Sequence, residues 1–364
     1  MLLLGINFEI KFMEKVERLI RSINSLMIII GLLLLTVLGL GAWILVRDNN
    51  SRSIPVADST SLLQTSLDAE IQSLDKEEGM WLPPSDEVLK KQVNAELIQY
   101  GKELIANTSK YLGPKGSIAA ITNGMNCQNC HLKAGTQPWG NNYAAVASTY
   151  PKYRGRSGTM EDVYKRVSDC FERSLNGSAP AKGSREMEAI VAYIQFLGSN
   201  VQKGEKPKGT GIYELAFLDR AADPEKGKIA YQSKCVSCHR EDGTGVLAAD
   251  GKSYTYPPLW GKNSFNHGAG LYRLSRFAGY IKANMPQGAT YLRPQLTDEE
   301  AWDIAAYVNS LPRPSKDLSQ DWPKIAEKNI DHPFGPYADA FSEKQHKYGP
   351  FQPIKDAKKA MEKK

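Results

Sequence analysis

Two pentapeptides, CQNCH at Cys127–His131 and CVSCH at Cys235–His239, each place two thiols three positions apart with a histidine directly after the second. That spacing is the attachment signature of a c-type haem: the thiols form thioethers to the porphyrin and the histidine binds the iron from below. A zinc site made from the two C-x-x-C pairs is the competing reading. It needs no histidine after each pair, and more than one hundred residues separate the pairs, unlike a zinc ribbon. Two covalently bound haem c groups are therefore expected, held by Cys127, Cys130, Cys235 and Cys238, with His131 and His239 as metal ligands. A fifth cysteine, Cys170, lies outside both motifs. A lone cysteine is usually a buried inert thiol, so its position needs an account.

The motifs sit in two copies of one helical plan. A helix carrying a Gly-Lys pair precedes each motif, in QYGKELIANTSKYLG and PEKGKIAYQSKC. A closing helix follows each, in SREMEAIVAYIQFLGS and TDEEAWDIAAYVNSLP. Aligning Tyr193 with Tyr307 matches Ile190 with Ile304 and Leu197 with Leu311 at helical spacing. The expected fold is all-α, with two tandem class I cytochrome c domains at 84–200 and 221–318. A Gly-, Lys- and Pro-containing linker spans 201–220, and a tail without strong periodicity, expected to wrap the surface, spans 319–364.

The repeat also proposes the second axial ligand of each iron. Met285 in IKANMPQG lies 22 residues before Tyr307, and the equivalent place before Tyr193 falls on Phe171 or Cys170. Met160 and Met187 are rivals to Cys170, the first ten residues early and the second inside the closing helix. Thr159 and Asp162 read as a capping signal and Asn176-Gly177 as a stop, so a helix should run between them. Within it, Arg166, Cys170 and Ser174 fall at i, i+4 and i+8 on one face. Arg173 lies close to that face, and Lys152, Arg154 and Arg156 precede the helix. Guanidinium groups beside a thiol suit oxyanion recognition and favour the ionised sulfur. Thiolate ligation lowers an iron's potential and methionine raises it, so electrons should run from the first haem to the second.

The rest of the composition narrows the class. A net charge of +6 over 364 residues is too mild and dispersed to argue for nucleic acid. The segment Ser25–Val46 is 22 residues without a charge, long enough to cross a bilayer as a helix. Lys11, Lys15, Arg18 and Arg21 precede it, which puts residues 1–24 in the cytoplasm and the body outside. No A-x-A cleavage site follows, so residues 25–46 are expected to be an uncleaved anchor and the polar stretch 47–80 a stalk.

The stretches NGMNCQNCHLKAG, YRGRSGTMEDVYKRVSDCFERSLNG, KCVSCHRE, YPPLWG, FNHGAGLYR and NMPQG together resemble the thiosulfate dehydrogenases, dihaem c-type cytochromes of the bacterial periplasm. The resemblance spans about Trp81 to Ile354, and its second stretch is the specific one. It implies that Cys170 is the distal ligand of the active-site haem and Met285 that of the electron-transfer haem. It also implies that Arg156, Arg166 and Ser174 line the substrate site. The implied reaction joins two thiosulfates into tetrathionate, reversibly in some members, with electrons leaving to a small cytochrome c or a membrane electron-transfer component. The implied place is the bacterial periplasm; the anchor read from residues 25–46, which would hold the chain at the bacterial inner membrane by a single N-terminal helix, departs from members with a cleaved signal. Some members carry lysine directly before the distal methionine, where this chain has Asn284. A non-catalytic dihaem shuttle, a cytochrome subunit of a multi-protein sulfur-oxidising complex and a dihaem peroxidase are the alternatives. The shuttle has no need of Cys170 and its arginines, and the peroxidase needs an open iron position.

Overall fold

The computed structural model describes residues 79–362 together with the isolated positions 27 and 36. The apolar segment 25–46 and nearly all of the stalk lie outside the described residues. Among the described residues no helix is long and apolar enough to cross a membrane. Residues 76–364 form one compact unit.

The unit is mostly helical. Its longer helices are α1 (Ala95–Ala106), α2 (Val163–Arg173), α3 (Arg185–Leu197), α4 (Pro224–Lys234), α5 (Leu274–Asn284), α6 (Asp298–Ser310) and α7 (Gln352–Glu362). Two short antiparallel hairpins, absent from the all-α expectation, complete it: β1 (Lys152–Arg154) with β2 (Thr159–Glu161), and β3 (Val246–Leu247) with β4 (Tyr254–Tyr256).

The internal repeat has a packing basis. In the first half α1 crosses α3, and in the second α4 crosses α6, so each pre-motif helix rests on its closing helix. The glycine of each Gly-Lys pair marks the crossing. A Cβ on Gly101 would stand 2.0 Å from the Ala189 carbonyl oxygen, and one on Gly227 would stand 1.9 Å from that of Asp303. Ala189 and Asp303 are themselves equivalent when Tyr193 is aligned with Tyr307. Closing-helix residues Ile190, Tyr193, Ile304 and Val308 are buried around these crossings. Both closing helices start at a hydroxyl cap, Ser184 for α3 and Thr297 for α6, the latter with Glu300 completing a capping box.

These crossings give a stability prediction. Elsewhere in a helix Gly→Ala gains up to about 1 kcal/mol. At Gly227 the added methyl meets backbone that cannot turn aside, and overpacking of this kind costs about 1–3 kcal/mol. Gly227→Ala should therefore lower the denaturant midpoint of the haem-loaded protein. A midpoint equal to or above that of the wild type would contradict the crossing.

The two halves are joined by specific contacts. The Tyr280 hydroxyl on α5 donates to the Asn129 carbonyl inside the first haem motif at 3.1 Å, and Asn284 Nδ2 donates to the Trp139 carbonyl at 3.2 Å. From the loop after β4, Asn266 reaches back to the end of α2. Its backbone N–H donates to the Arg173 carbonyl at 3.0 Å and its Nδ2 to the Glu172 carbonyl at 2.8 Å. The tail enters the core as well as covering it: Phe351 and Ile354 are buried, and Phe351 lies 5.6 Å, centroid to centroid, from Trp302.

Candidate active site

The helix that carries Cys170 starts one step later than its sequence suggests. Thr159 belongs to β2, where it pairs with Arg154, so it caps nothing. Asp162 alone is the N-cap, its carboxylate accepting from the Lys165 backbone N–H at 2.8 Å. At the other end Ser174 is the C-cap, Asn176 takes a positive φ of 43°, and Gly177 passes so close to the Ile121 carbonyl that a Cβ would lie 1.9 Å from it. Helix length is thus set by a carboxylate at the start and an obligatory small residue at the stop.

One face of α2 opens onto a cavity of about 670 Å³. Arg166, Cys170 and Ser174 all line it, together with Cys127, Cys130 and His131 of the first haem motif. Phe171, the alternative place in the repeat, also borders the cavity but is 1 % exposed, and its ring carries no atom that could bind iron. The rivals Met160 and Met187 do not line the cavity: Met160 is exposed on β2 and Met187 is buried in α3.

The residues fit a c-type haem in both halves. His131 Nδ1 lies 2.5 Å from the Asn141 carbonyl oxygen, and the ring stacks on Tyr143 at 4.5 Å. His239 Nδ1 lies 2.9 Å from the Pro257 carbonyl oxygen. In each case the backbone takes Nδ1–H and leaves Nε2 as the iron-binding nitrogen, which fixes the tautomer and the ring orientation as ligating histidines require. Burial pushes His131 down to about 4 and lowers His239 too, so both rings are neutral at pH 7, as a ligand must be. None of the five cysteines is in a disulfide, which leaves both C-x-x-C pairs for thioether attachment. Met285 is the C-cap of α5 and packs half-buried against the core. The Tyr256 hydroxyl meets Gln287 Oε1 at 3.3 Å while its ring lies 6.3 Å from that of His239, tying the turn after Met285 to the second motif.

A second cavity of about 110 Å³ adjoins the first and shares Arg154, Arg166 and Ser174 with it. Arg156, Arg173 and Arg273 complete its basic wall. Arg156 is here, beside Arg166 and Ser174, and does not line the large cavity. Lys152 faces the large cavity alone, and Arg173 turns from the Cys170 side of α2 toward the small one.

The arginines differ in how their charge is met. Arg156 pairs with Asp169, which is 2 % exposed and also holds Lys165 at 2.5 Å. Burial opposes ionisation of Asp169, but Arg156 and Lys165 outweigh it and keep its carboxyl below the ordinary value. Arg173 is held in two-point fashion by the two carboxylate oxygens of Asp321 at 2.8 and 2.7 Å, and two nitrogens of Arg273 donate to one oxygen of Asp331 at 2.8 and 2.5 Å. Arg166 has no salt bridge among the described residues. A Cys170 thiolate raises its pKa further above the ordinary value, outweighing burial. An arginine without a carboxylate partner among the described residues therefore lies one helical turn from Cys170.

The spacing of residues did not reveal the tail's part in this site. Asp321, Trp322, Asn329 and His332 line the small cavity, and the Trp322 backbone N–H donates to the Arg156 carbonyl at 2.7 Å. His332 is kept neutral by burial, which pushes it down to about 4. His267, also in the lining, is held by backbone on Lys316, as expected of a loop histidine.

Comparison with known proteins agrees with this arrangement. The family model for cytochrome c matches residues 224–312, and the model for the SoxA/TsdA cytochrome c domain matches residues 118–202. The chain thus carries two covalently bound c-type haems, one in each half. A thiosulfate dehydrogenase of Stutzerimonas stutzeri is 35 % identical over 254 residues, 70 % of this chain and 78 % of that protein. One of Allochromatium vinosum is 41 % identical over 198 residues, 53 % of this chain and 72 % of that protein. Among solved structures, thiosulfate dehydrogenase (TsdBA) from Marichromatium purpuratum in its as-isolated form superposes with a TM-score of 0.59 at 29 % identity, covering 65 % of this chain and 50 % of that one. This chain belongs to the thiosulfate dehydrogenase family.

Proposed function

We propose that this chain is an oxidoreductase that joins two thiosulfates into tetrathionate and releases two electrons, and that it also runs the reverse reaction. The observation that carries this reading is the single face of α2, which brings Arg166, Cys170 and Ser174 into the cavity of the first haem motif. An electron shuttle has no use for a cysteine and an unpaired guanidinium there.

The physical problem is to hold two dianions close enough for one S–S bond to form between their outer sulfurs. No proton moves in that step. Fixed positive charge in a partly dry site offsets the repulsion. On this reading Arg166 binds one thiosulfate directly, Arg156 approaches from the small cavity, and Ser174 donates its hydroxyl to a sulfonate oxygen. Asp169 orients Arg156 and lowers its net pull on the anion, which favours release of the product. When bound, the haems would supply the electron-accepting centres, the first held by Cys127, Cys130, His131 and Cys170 and the second by Cys235, Cys238, His239 and Met285, and electrons would leave by way of the second to a small cytochrome c or a membrane electron-transfer component. Asn284 offers no lysine amine beside Met285; its Nδ2 is engaged with the Trp139 and Tyr280 carbonyls. The charge-free length of Ser25–Val46 and the cations before it support an inner-membrane anchor with the body in the periplasm.

The test is an assay of the purified protein with thiosulfate and an artificial electron acceptor, then with tetrathionate and a reduced dye. Tetrathionate formation by the protein alone is the expected result. A protein that accepts electrons from other donors but is inert toward thiosulfate would be a shuttle or the subunit of a larger complex. The order of transfer has its own check. Met285→His should lower the potential of the second haem and make stopped-flow reduction by thiosulfate stall at the first. Exit rates equal to the wild type would rule out the second haem as the exit route.

A further inference from the structure

The large cavity carries more positive charge than its own carboxylates can meet. Lys152, Arg154, Arg166, Lys206, Lys208 and Arg276 line it, while the one lining carboxylate among the described residues is Glu214. Arg166 faces Cys170. The remaining counter-charges are distant: Glu214 is 3.7 Å from Arg276 and 82 % exposed, and Glu161 is 3.9 Å from Arg154 Nε. The exposed Glu214 pair contributes little, and the one buried carboxylate, Glu161, is shared between Arg154 and Lys152.

The β1–β2 hairpin explains how the cations come to lie there. Alternation along β1 sends Lys152 and Arg154 to one side and leaves Tyr153 exposed on the other. Glu161 stands opposite Lys152 in the ladder. It is 1 % exposed, and neither carboxylate oxygen has a hydrogen-bond partner. A buried carboxylate without a donor is costly, and nearby positive charge is what keeps it tolerable. The cations are strained in turn. Burial, then repulsion from Arg154, Lys206 and Arg166, pushes Lys152 down to about 8. Burial and Arg273 lower Arg276 as well. Such a cluster is short of an anion.

The first haem brings two carboxylates into this cavity, because a porphyrin attached through its vinyl carbons keeps both propionates free at another edge. We propose that Lys152, Arg154 and Arg276 bind the propionate carboxylates of the first haem. The second half of the chain, through Arg276 on α5, then completes the haem site of the first half. Guanidinium matches a carboxylate at two points, and Lys152 adds a compact charge. Arg166 and Arg156 are left for the substrate. This assignment rests on the presence of the haem and not on thiosulfate being the substrate, so it survives a failure of that reading.

The test uses the full haem-loaded chain. Arg154→Gln and Arg276→Gln are compared with the wild type by resonance Raman spectroscopy of the propionate bending bands, and by redox titration without thiosulfate. Both side chains are partly exposed and the haem remains attached through Cys127 and Cys130, so both variants should retain two haems. Each should shift the propionate bands, and the potential of the first haem should fall while that of the second stays, since lost positive charge favours the ferric state. Arg154→Lys controls for folding: it should shift the bands while largely keeping the potential. Unchanged bands in both glutamine variants would overturn the assignment. A ten-fold rise in the KM for thiosulfate with the bands unchanged would instead give these cations to the substrate.

Discussion

Cys170→Ala should reduce thiosulfate turnover by more than about a thousand-fold while both haems stay attached, the scale seen when a reacting centre itself is removed. Attachment uses Cys127, Cys130, Cys235 and Cys238, none of which the change touches. The helix should also survive, since Cys170 is a half-buried cavity residue and alanine is the best helix former. What is lost is a sulfur in the same cavity as His131 and one turn from Arg166. A second variant separates ligation from charge. Cys170→Met keeps a sulfur but not a thiolate, so the potential of the first haem should rise and turnover should still be lost. Tetrathionate formation by Cys170→Ala at the wild-type rate would leave an electron shuttle as the better account.

The next largest effect is expected at Arg166. Removing a charge-assisted contact in a partly buried site costs on the order of 1.5–3 kcal/mol, or roughly ten- to hundred-fold in kcat/KM. Arg166→Ala is the cleaner probe because, among the described residues, no carboxylate forms a salt bridge with this side chain. Arg156→Ala is a mixed one: it leaves Asp169 buried with Lys165 as its remaining close partner, and breaking a buried pair costs about 3–5 kcal/mol of stability. Kinetics of Arg156→Ala must therefore be read beside its denaturation midpoint. Arg166→Lys should recover only part of the loss, since an ammonium lacks the planar fork. A change below about two-fold at Arg166 would show that this guanidinium does not bind the substrate.

Local patterns carried much of this structure. The haem motifs are five-residue signals, the Gly-Lys helices and closing helices repeat with matching apolar positions, and Arg166, Cys170 and Ser174 share a face because helical spacing requires it. The repeat offered Cys170 and Phe171 as a pair; both border the cavity, and only the cysteine carries a sulfur that could bind iron. Thr159 shows how a capping signal misleads: the strand ladder with Arg154 claims it first. The least legible part was the electrostatics of the small cavity. Asp321 meets Arg173 across 148 residues and Asp331 meets Arg273 across 58. Such pairs leave no periodic trace, and the tail that delivers both aspartates has no amphipathic pattern to announce its burial. Which arginines are neutralised, and which is left to bind an anion, became visible only in three dimensions.

The account stands most directly on the sulfur of Cys170 being a haem ligand in the first half of the chain. Low-temperature electron paramagnetic resonance of the oxidised wild type and of Cys170→Ala tests that without any assay of turnover. The wild type should show a low-spin signal of thiolate-ligated ferric haem beside that of the second haem, and Cys170→Ala should lose the first and keep the second. A thiolate signal that survives in Cys170→Ala, or its absence from the wild type, would contradict the account.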